Sequence, residues 1–131
     1  MSNLNPKGIE VEIGGEKRFF LFTLNSIMEI QDHYDLPLTE VIDLLTDKRK
    51  AASCMRYLVF VLLNEEYERE KQKDPGTTLK KWTEKEVGNL ITQQTYAEIF
   101  LSLLQAYGLS LPEKDEEDDD PNTLSALQKS M

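Results

Sequence analysis

The fold is decided by residues 57–63, YLVFVLL, the longest uninterrupted apolar run in the chain. Positions 55, 58, 59 and 62 follow the spacing of one helix face, and the apolar residues at 60, 61 and 63 make the helix apolar on nearly every side. A helix of this kind is normally central and buried, so we expect the other elements to pack around it. Thr46 or Asp47 can start the helix, whose sequence becomes highly charged over 65–73.

Asp74-Pro75-Gly76 should end this central helix, because proline cannot continue the hydrogen-bond ladder. We expect residues 72–79 to form a mobile loop.

An amino-terminal β-hairpin is predicted ahead of the helices. Residues 9–13 alternate apolar and polar side chains, and Gly14-Gly15 supplies the positive backbone angles of a tight turn. Residues 18–22 are rich in aromatic side chains and belong to the second strand. An isolated hairpin is marginal in water, so this one should pack against the helices or pair with another chain.

Two amphipathic helices are predicted between the hairpin and the central helix. Thr23 can cap the first, and Pro37 is tolerated in the first turn of the second. Each is expected to have one apolar face, formed by Leu24, Ile27, Met28 and Tyr34 in the first and by Leu38, Val41, Ile42 and Leu45 in the second.

The strongest local signal is residues 82–87, WTEKEV, which start a fourth helix. Thr83 and Glu86 form a capping box, and Trp82 and Val87 occupy the two positions of a hydrophobic staple. This helix should continue through residues 90–91.

A fifth helix with a wide apolar face is predicted next. Thr95 and Glu98 repeat the capping pattern, and Gly108 supplies a carboxyl-terminal stop. The apolar face is formed by Ile99, Phe100, Leu103, Leu104 and Tyr107.

The chain is therefore predicted to be mainly α: a small helical domain of about five helices over residues 1–111, with the β-hairpin at 8–22. Residues 112–131 form an acidic tail. Within it, residues 113–120 hold seven acidic side chains and Lys114, which is −6 of the chain's net charge of −9. Because this segment repels itself and has almost no apolar content, we expect it to be disordered. Residues 123–131 regain some apolar character and suit one helical turn or a short docking motif.

Composition and charge argue against several classes of function. Lys48-Arg49-Lys50 and Lys80-Lys81 are short basic clusters in an acidic chain, so nucleic-acid binding is not expected. The seven-residue apolar run is far below the roughly 20 residues that a membrane-spanning helix needs. No secretory signal is recognisable at the amino terminus, and we expect the protein to stay in the cytoplasm where it is made.

No constellation of catalytic or metal-binding residues is apparent. His33 is the single histidine and suits a surface position near a helix end, and Cys54 is the single cysteine and suits an inert buried thiol. Residues 14–17, GGEK, have the wrong spacing for a phosphate loop. The sequence thus predicts a non-enzymatic protein with no metal and no cofactor.

The aromatic residues Phe19, Phe20 and Phe22 leave two interpretations open. Neighbouring strand residues point to opposite faces, so these three cannot all enter one small core. One interpretation places at least one of them at a partner surface. The other has the protein's own helices cover both sides of the strand.

The pattern resembles the tail assembly chaperones of long-tailed phages and prophages, particularly those of Gram-positive hosts. The resemblance covers most of the chain and is carried by residues 8–22 leading into 24–34, by WTEKEV at 82–87, and by 96–111 followed by Pro112 and the acidic tail with Pro121-Asn122. It implies a mostly helical protein that binds tape measure protein before the tail tube polymerises, with tail tube subunits as a further candidate partner. Self-association is compatible with a free hairpin edge.

The family offers no invariant binding residues, so the partner-binding residues are chosen on physical grounds. They are Phe19, Phe20, Tyr107, Leu109 and Leu111. An alternative function stays open: a small regulatory or inhibitory protein of a phage or mobile element, whose acidic tail competes for a basic surface on a host factor.

Overall fold

The computed structural model describes residues 7–111, so the predicted acidic tail lies outside the described residues. Within that range the chain is mainly helical, with five helices after a two-stranded antiparallel hairpin, as predicted. The strands are β1 (Ile9–Ile13) and β2 (Glu16–Phe20). The helices are α1 (Leu24–Tyr34), α2 (Leu38–Leu44), α3 (Ala51–Lys73), α4 (Glu84–Leu90) and α5 (Gln93–Ser110).

The hairpin has an inner face toward the helices and an outer face away from them. Its register pairs Ile9 with Phe20 and Ile13 with Glu16 around the Gly14-Gly15 turn, where φ is 65° and 77°. Residues 11, 13, 18 and 20 are buried on the inner face, while 10, 12 and 17 are exposed on the outer face. At Gly14 a Cβ would also lie 2.8 Å from the Trp82 ring, so the turn needs glycine for space as well as for its backbone angle.

Helix α3 is the centre of the molecule. Its hydrophobic residues pack into a core with β2, α1, α2 and α4, and the buried ones are Cys54, Met55, Tyr57, Leu58, Val59, Val61, Leu62 and Leu63. The apolar residues on several sides of this helix are therefore buried against different neighbours. The expectation of a central helix is confirmed.

An ion pair lies inside this core, between β2 and α3. Arg18 is fully buried, and its Nε donates to Oε1 of Glu66 at 2.7 Å. The same guanidinium donates through Nη1 to Glu16 at 2.9 Å and through Nη2 to the Leu63 carbonyl at 2.8 Å. Nη1 also lies 3.2 Å from the Lys80 carbonyl oxygen. A buried guanidinium needs such partners, because an unpaired charge in a core is strongly destabilising.

The two ends of α3 differ in how well they were predicted. The helix ends at Lys73, before Asp74-Pro75-Gly76 as expected, but residues 72–73 are helical and do not belong to the loop. The start at Thr46 or Asp47 is wrong, since α3 begins at Ala51. The Asp47 carboxylate instead accepts from the amides of Arg49 and Lys50, which forms a separate turn ahead of the helix.

Helix α4 begins at its predicted cap, whereas the cap of α5 lies three residues before the predicted one. In α4 the Thr83 and Glu86 capping box is present as predicted, with Val87 buried. In α5 the capping position is Thr92, not Thr95, and Thr95 is the partner whose hydroxyl accepts from the Thr92 amide. The stop at Gly108 is also wrong, because α5 continues to Ser110.

The apolar face predicted for α1 is only partly the packing face. Thr23 caps the helix as expected, and its hydroxyl accepts from the Ser26 amide at 3.2 Å. Ile30 is fully buried, but Leu24 and Met28 are 72% and 51% exposed. The inner face of α1 is thus rotated away from the two residues that the periodicity assigned to it.

Replacing Arg18 tests how strongly the buried ion pair stabilises the fold. Arg18→Met leaves Glu66 as a buried carboxylate without its cation, so the free energy of unfolding should fall by about 3–5 kcal/mol. Urea unfolding followed by far-UV circular dichroism measures the change. The matched control is Lys81→Met, which removes an exposed pair with Glu68 at 3.3 Å and should cost at most about 1 kcal/mol. Equal losses in the two variants would contradict a dominant role for Arg18.

Candidate partner-binding site

Helix α5 has more apolar residues than the hairpin can cover. Its inner face packs on β1 and β2, with Ile99, Leu103 and Ala106 at most 2% exposed. Away from that face Leu101 is 55% exposed, and beyond it Leu109 and Leu111 are 57% and 48% exposed. We call these last three residues the α5 strip.

Helix α1 presents a second apolar strip. Leu24 and Met28 are four positions apart in the chain, so they lie one above the other on the helix surface. We call this pair the α1 strip. Single exposed hydrophobic residues are normal, but two large ones stacked on the same helix face are suited to contact with another protein.

An aromatic contact links the segment before α1 to α5. The rings of Phe22 and Tyr107 meet edge to face, with their centroids 6.4 Å apart. Leu109 follows Tyr107 by two residues on α5, so it points away from this contact and into solvent. The α1 strip and the α5 strip are therefore two separate exposed apolar features.

The predicted partner-binding residues divide into three groups. Phe20 is fully buried in the core, so its assignment to a partner surface is corrected: on the inner face of β2 it packs against the helices. Phe19 points to the opposite face and is half-buried. Tyr107 is half-buried, while Leu109 and Leu111 are exposed beyond it at the end of α5.

The second interpretation of the aromatic strand, burial by the protein's own elements, holds for two of its three aromatic residues. Phe20 and Phe22 are buried, at 0% and 6% exposure, so the protein's own elements cover them. Phe19 alone of the three lies on the outer face, where the Lys7 ammonium is 5.8 Å from its ring centroid. The alternation of strand residues between faces accounts for this division.

Sequence reasoning missed Leu101, Leu24 and Met28 as surface residues. For Leu101 a signal exists: it does not share the helical spacing of Ile99, Leu103 and Ala106, so a helical wheel places it on another face. For Leu24 and Met28 the periodicity was compatible with burial. Only the docking of α1 on α3 shows that Ile30 takes the inner position.

Of the two residues considered for chemistry, Cys54 lies on α3 and His33 lies near the end of α1. Cys54 is fully buried, and its thiol donates to the Val41 carbonyl at 3.5 Å. Burial raises the pKa of this thiol, and the nearby Tyr34 only partly offsets the shift. Burial likewise raises the pKa of Tyr57 to about 12, so it is neutral at physiological pH. These groups act as core residues with no ionised nucleophile.

His33 lies at the surface near the end of α1, as predicted, and its ring stacks on Tyr57 with centroids 3.8 Å apart. Residues 7–111 contain no group of three potential metal ligands among His, Cys, Asp and Glu. No helix of this part of the chain combines the length and hydropathy needed to cross a membrane.

Cavities open on the surface of the part of the chain that the structure describes. One, of about 630 Å³, lies between the start of α3 and the junction of α4 and α5, where Arg56 pairs with Glu84 at 3.3 Å. Its other lining residues include Met55, Ile91 and Tyr96. The second, of about 860 Å³, lies on the outer face of β2. Neither coincides with the exposed strips of α1 and α5.

Comparison of the chain with protein-family models, curated proteins and solved structures found no match. The candidate site therefore rests on the geometry alone. It consists of the exposed apolar residues of the α1 strip and of the α5 strip, which are suited to contact with an apolar segment of another protein.

Cys54 provides a test of the buried-thiol assignment. With its pKa raised, the thiol is neutral at pH 8 as well as inaccessible, so Ellman's reagent should react with the native protein at least about a hundredfold more slowly than with the urea-unfolded protein. Absorbance at the wavelength of the released thiolate gives both rates. The control is Ser53→Cys with Cys54→Ala, which moves the thiol to the exposed neighbouring position and should react quickly when folded. Fast reaction of native Cys54 would show that it is accessible.

Proposed function

We propose that this chain is a tail assembly chaperone of a long-tailed phage or prophage, which binds tape measure protein and keeps it soluble until the tail tube polymerises. The observation that carries the proposal is the exposure of large apolar side chains: Leu101 and Leu109 on α5, Leu111 after it, and Leu24 and Met28 on α1. The resemblance of residues 8–34, 82–87 and 96–111 to this family directs the choice of partner. Tail tube subunits are a second candidate partner.

The surface fits a helical client. An amphipathic helix buries apolar residues spaced three and four positions apart, and it does so best against a partner surface that is already apolar and preformed. The α5 strip is held on a capped helix that packs on the hairpin, so little ordering is needed before binding. A tape measure protein, long and helical in this family, offers many such segments.

The charge of the chain supports the same role. A net charge of −9 keeps a complex with an apolar client from associating further, since like-charged particles repel one another. The mechanism is then simple binding: the chaperone covers apolar helix faces of its client, and polymerising tube subunits displace it. No covalent step takes part.

Co-expression with the tape measure protein of the same genome tests the proposal. The wild-type chain should raise the soluble fraction of the tape measure protein and elute with it. Leu101→Gln combined with Leu109→Gln removes two apolar contacts while leaving the buried face of α5 unchanged. It should weaken binding by about tenfold or more, as expected for the loss of at least 1.4 kcal/mol.

The control combines Thr39→Gln and Lys85→Gln, two exposed positions on α2 and α4. It should solubilise the client as well as wild type does, and all three proteins should unfold at similar urea concentrations. A tape measure protein that stays insoluble beside well-folded wild-type chain argues against the chaperone function. Equal activity of the Leu101/Leu109 variant would instead remove the α5 strip from the binding site.

A further inference from the structure

One edge of the hairpin is closed by the protein itself. The register around the Gly14-Gly15 turn makes Ile13 and Glu16 a hydrogen-bonded pair. Because such pairs alternate with non-bonded pairs along an antiparallel ladder, the backbone amide of Phe19 points away from β1. Glu66 Oε1 accepts from this amide at 3.3 Å. Helix α3 therefore closes the β2 edge at this position.

The other edge of the hairpin, on β1, has unpaired backbone groups. By the same alternation, the amides and carbonyls of Glu10 and Glu12 point away from β2. None of these groups has a hydrogen-bond partner within residues 7–111, and both residues are exposed. We call this row of backbone groups, in the strand Ile9–Ile13, the β1 edge. Such a row is the template on which an added strand forms its hydrogen bonds.

The side chains along the β1 edge alternate between apolar and acidic. On the inner face Val11 and Ile13 are 3% and 4% exposed. On the outer face Glu10 lies 3.8 Å from Lys17, and both side chains of this pair are largely in solvent. Glu12 forms no ion pair in the part of the chain that the structure describes. Because an exposed pair of this kind is weak, the outer face of the edge keeps most of its negative charge.

This charge pattern argues against a second copy of the chain as the added strand. Side chains opposite one another on neighbouring strands lie about 5 Å apart, where like charges destabilise the pairing. Antiparallel pairing about Val11 would place Glu10 opposite Glu12 of the other copy. Parallel pairing in register would place each glutamate beside its own equivalent. A lysine or arginine at the same positions would be attracted instead.

We propose that the β1 edge binds an extended segment of another protein in which basic residues alternate with apolar ones. The segment adds a third strand to the sheet, and its backbone pairs with Glu10 and Glu12. Its basic side chains lie beside these two carboxylates, and its apolar side chains continue the inner face next to Val11 and Ile13. This inference does not rest on the chaperone proposal, because the α1 strip and the α5 strip consist of other residues.

Two synthetic peptides test the proposal with the full chain labelled with ¹⁵N. The peptide KVKIKVK has the required alternation, and KKVVIKK has the same composition without it. The alternating peptide should shift the NMR resonances of the Glu10 and Glu12 amides. At about ten times its Kd it should slow their hydrogen exchange roughly tenfold, since only the free protein exchanges quickly. The second peptide should leave this exchange unchanged, even where it binds acidic residues elsewhere.

Reversing the charge of the edge gives a second readout. Glu10→Lys combined with Glu12→Lys should weaken the binding of KVKIKVK about tenfold and make EVEIEVE the preferred peptide, because attraction and repulsion are exchanged. The matched control is Glu40→Lys combined with Asp43→Lys, which makes the same change of net charge at exposed positions of α2. It should bind KVKIKVK as wild type does.

Unchanged exchange at Glu10 and Glu12 in the presence of KVKIKVK would overturn the proposal, as would equal protection by KKVVIKK. A folded Glu10/Glu12 variant that still prefers KVKIKVK would contradict it too. Protection of the β1 edge that rises with protein concentration in the absence of peptide would assign the edge to a second copy and so refute the proposal. None of these outcomes changes the meaning of the co-expression result.

Discussion

The buried ion pair between Arg18 and Glu66 is the constraint on which the rest of the structure depends. A fully buried guanidinium in a strand of five residues has to find several acceptors at fixed positions, and it finds them in α3 and in the Lys80 carbonyl. It therefore connects the hairpin, the central helix and the segment before α4. A slip of the hairpin by one residue would turn Arg18 to the outer face and leave Glu66 buried without its cation, so the pair also specifies the register.

Fixing Arg18 on the inner face decides what the outer face contains. Because successive strand residues alternate, Lys17 and Phe19 must point outward when Arg18 and Phe20 point inward. Glu66 makes two contacts with β2: it neutralises Arg18 in the core, and it accepts a hydrogen bond from the backbone amide of Phe19. The same carboxylate therefore stabilises the core contact and lines the cavity on the outer face of β2.

Structural features that depend on neighbouring residues could be predicted from the sequence. Features that depend on contacts between distant residues could not. The hairpin and the five helices follow from periodicity, glycine placement and caps, all of which act within a few residues. Errors arose where two local signals competed: Asp47 forms a turn of its own, and Thr92 precedes Thr95 as a cap. The burial of Arg18 depends on a partner 48 residues away, which no local pattern indicates.

The exposed apolar residues also differ in whether a local sequence pattern or the docking of distant elements determines their exposure. Leu109 and Leu111 were chosen from the sequence as partner-binding residues and are exposed, whereas the exposure of Leu24 depends on how α1 docks on α3. Because Ile30 takes the buried position on α1, Leu24 and Met28 remain exposed to solvent, and no signal within a few residues indicates this.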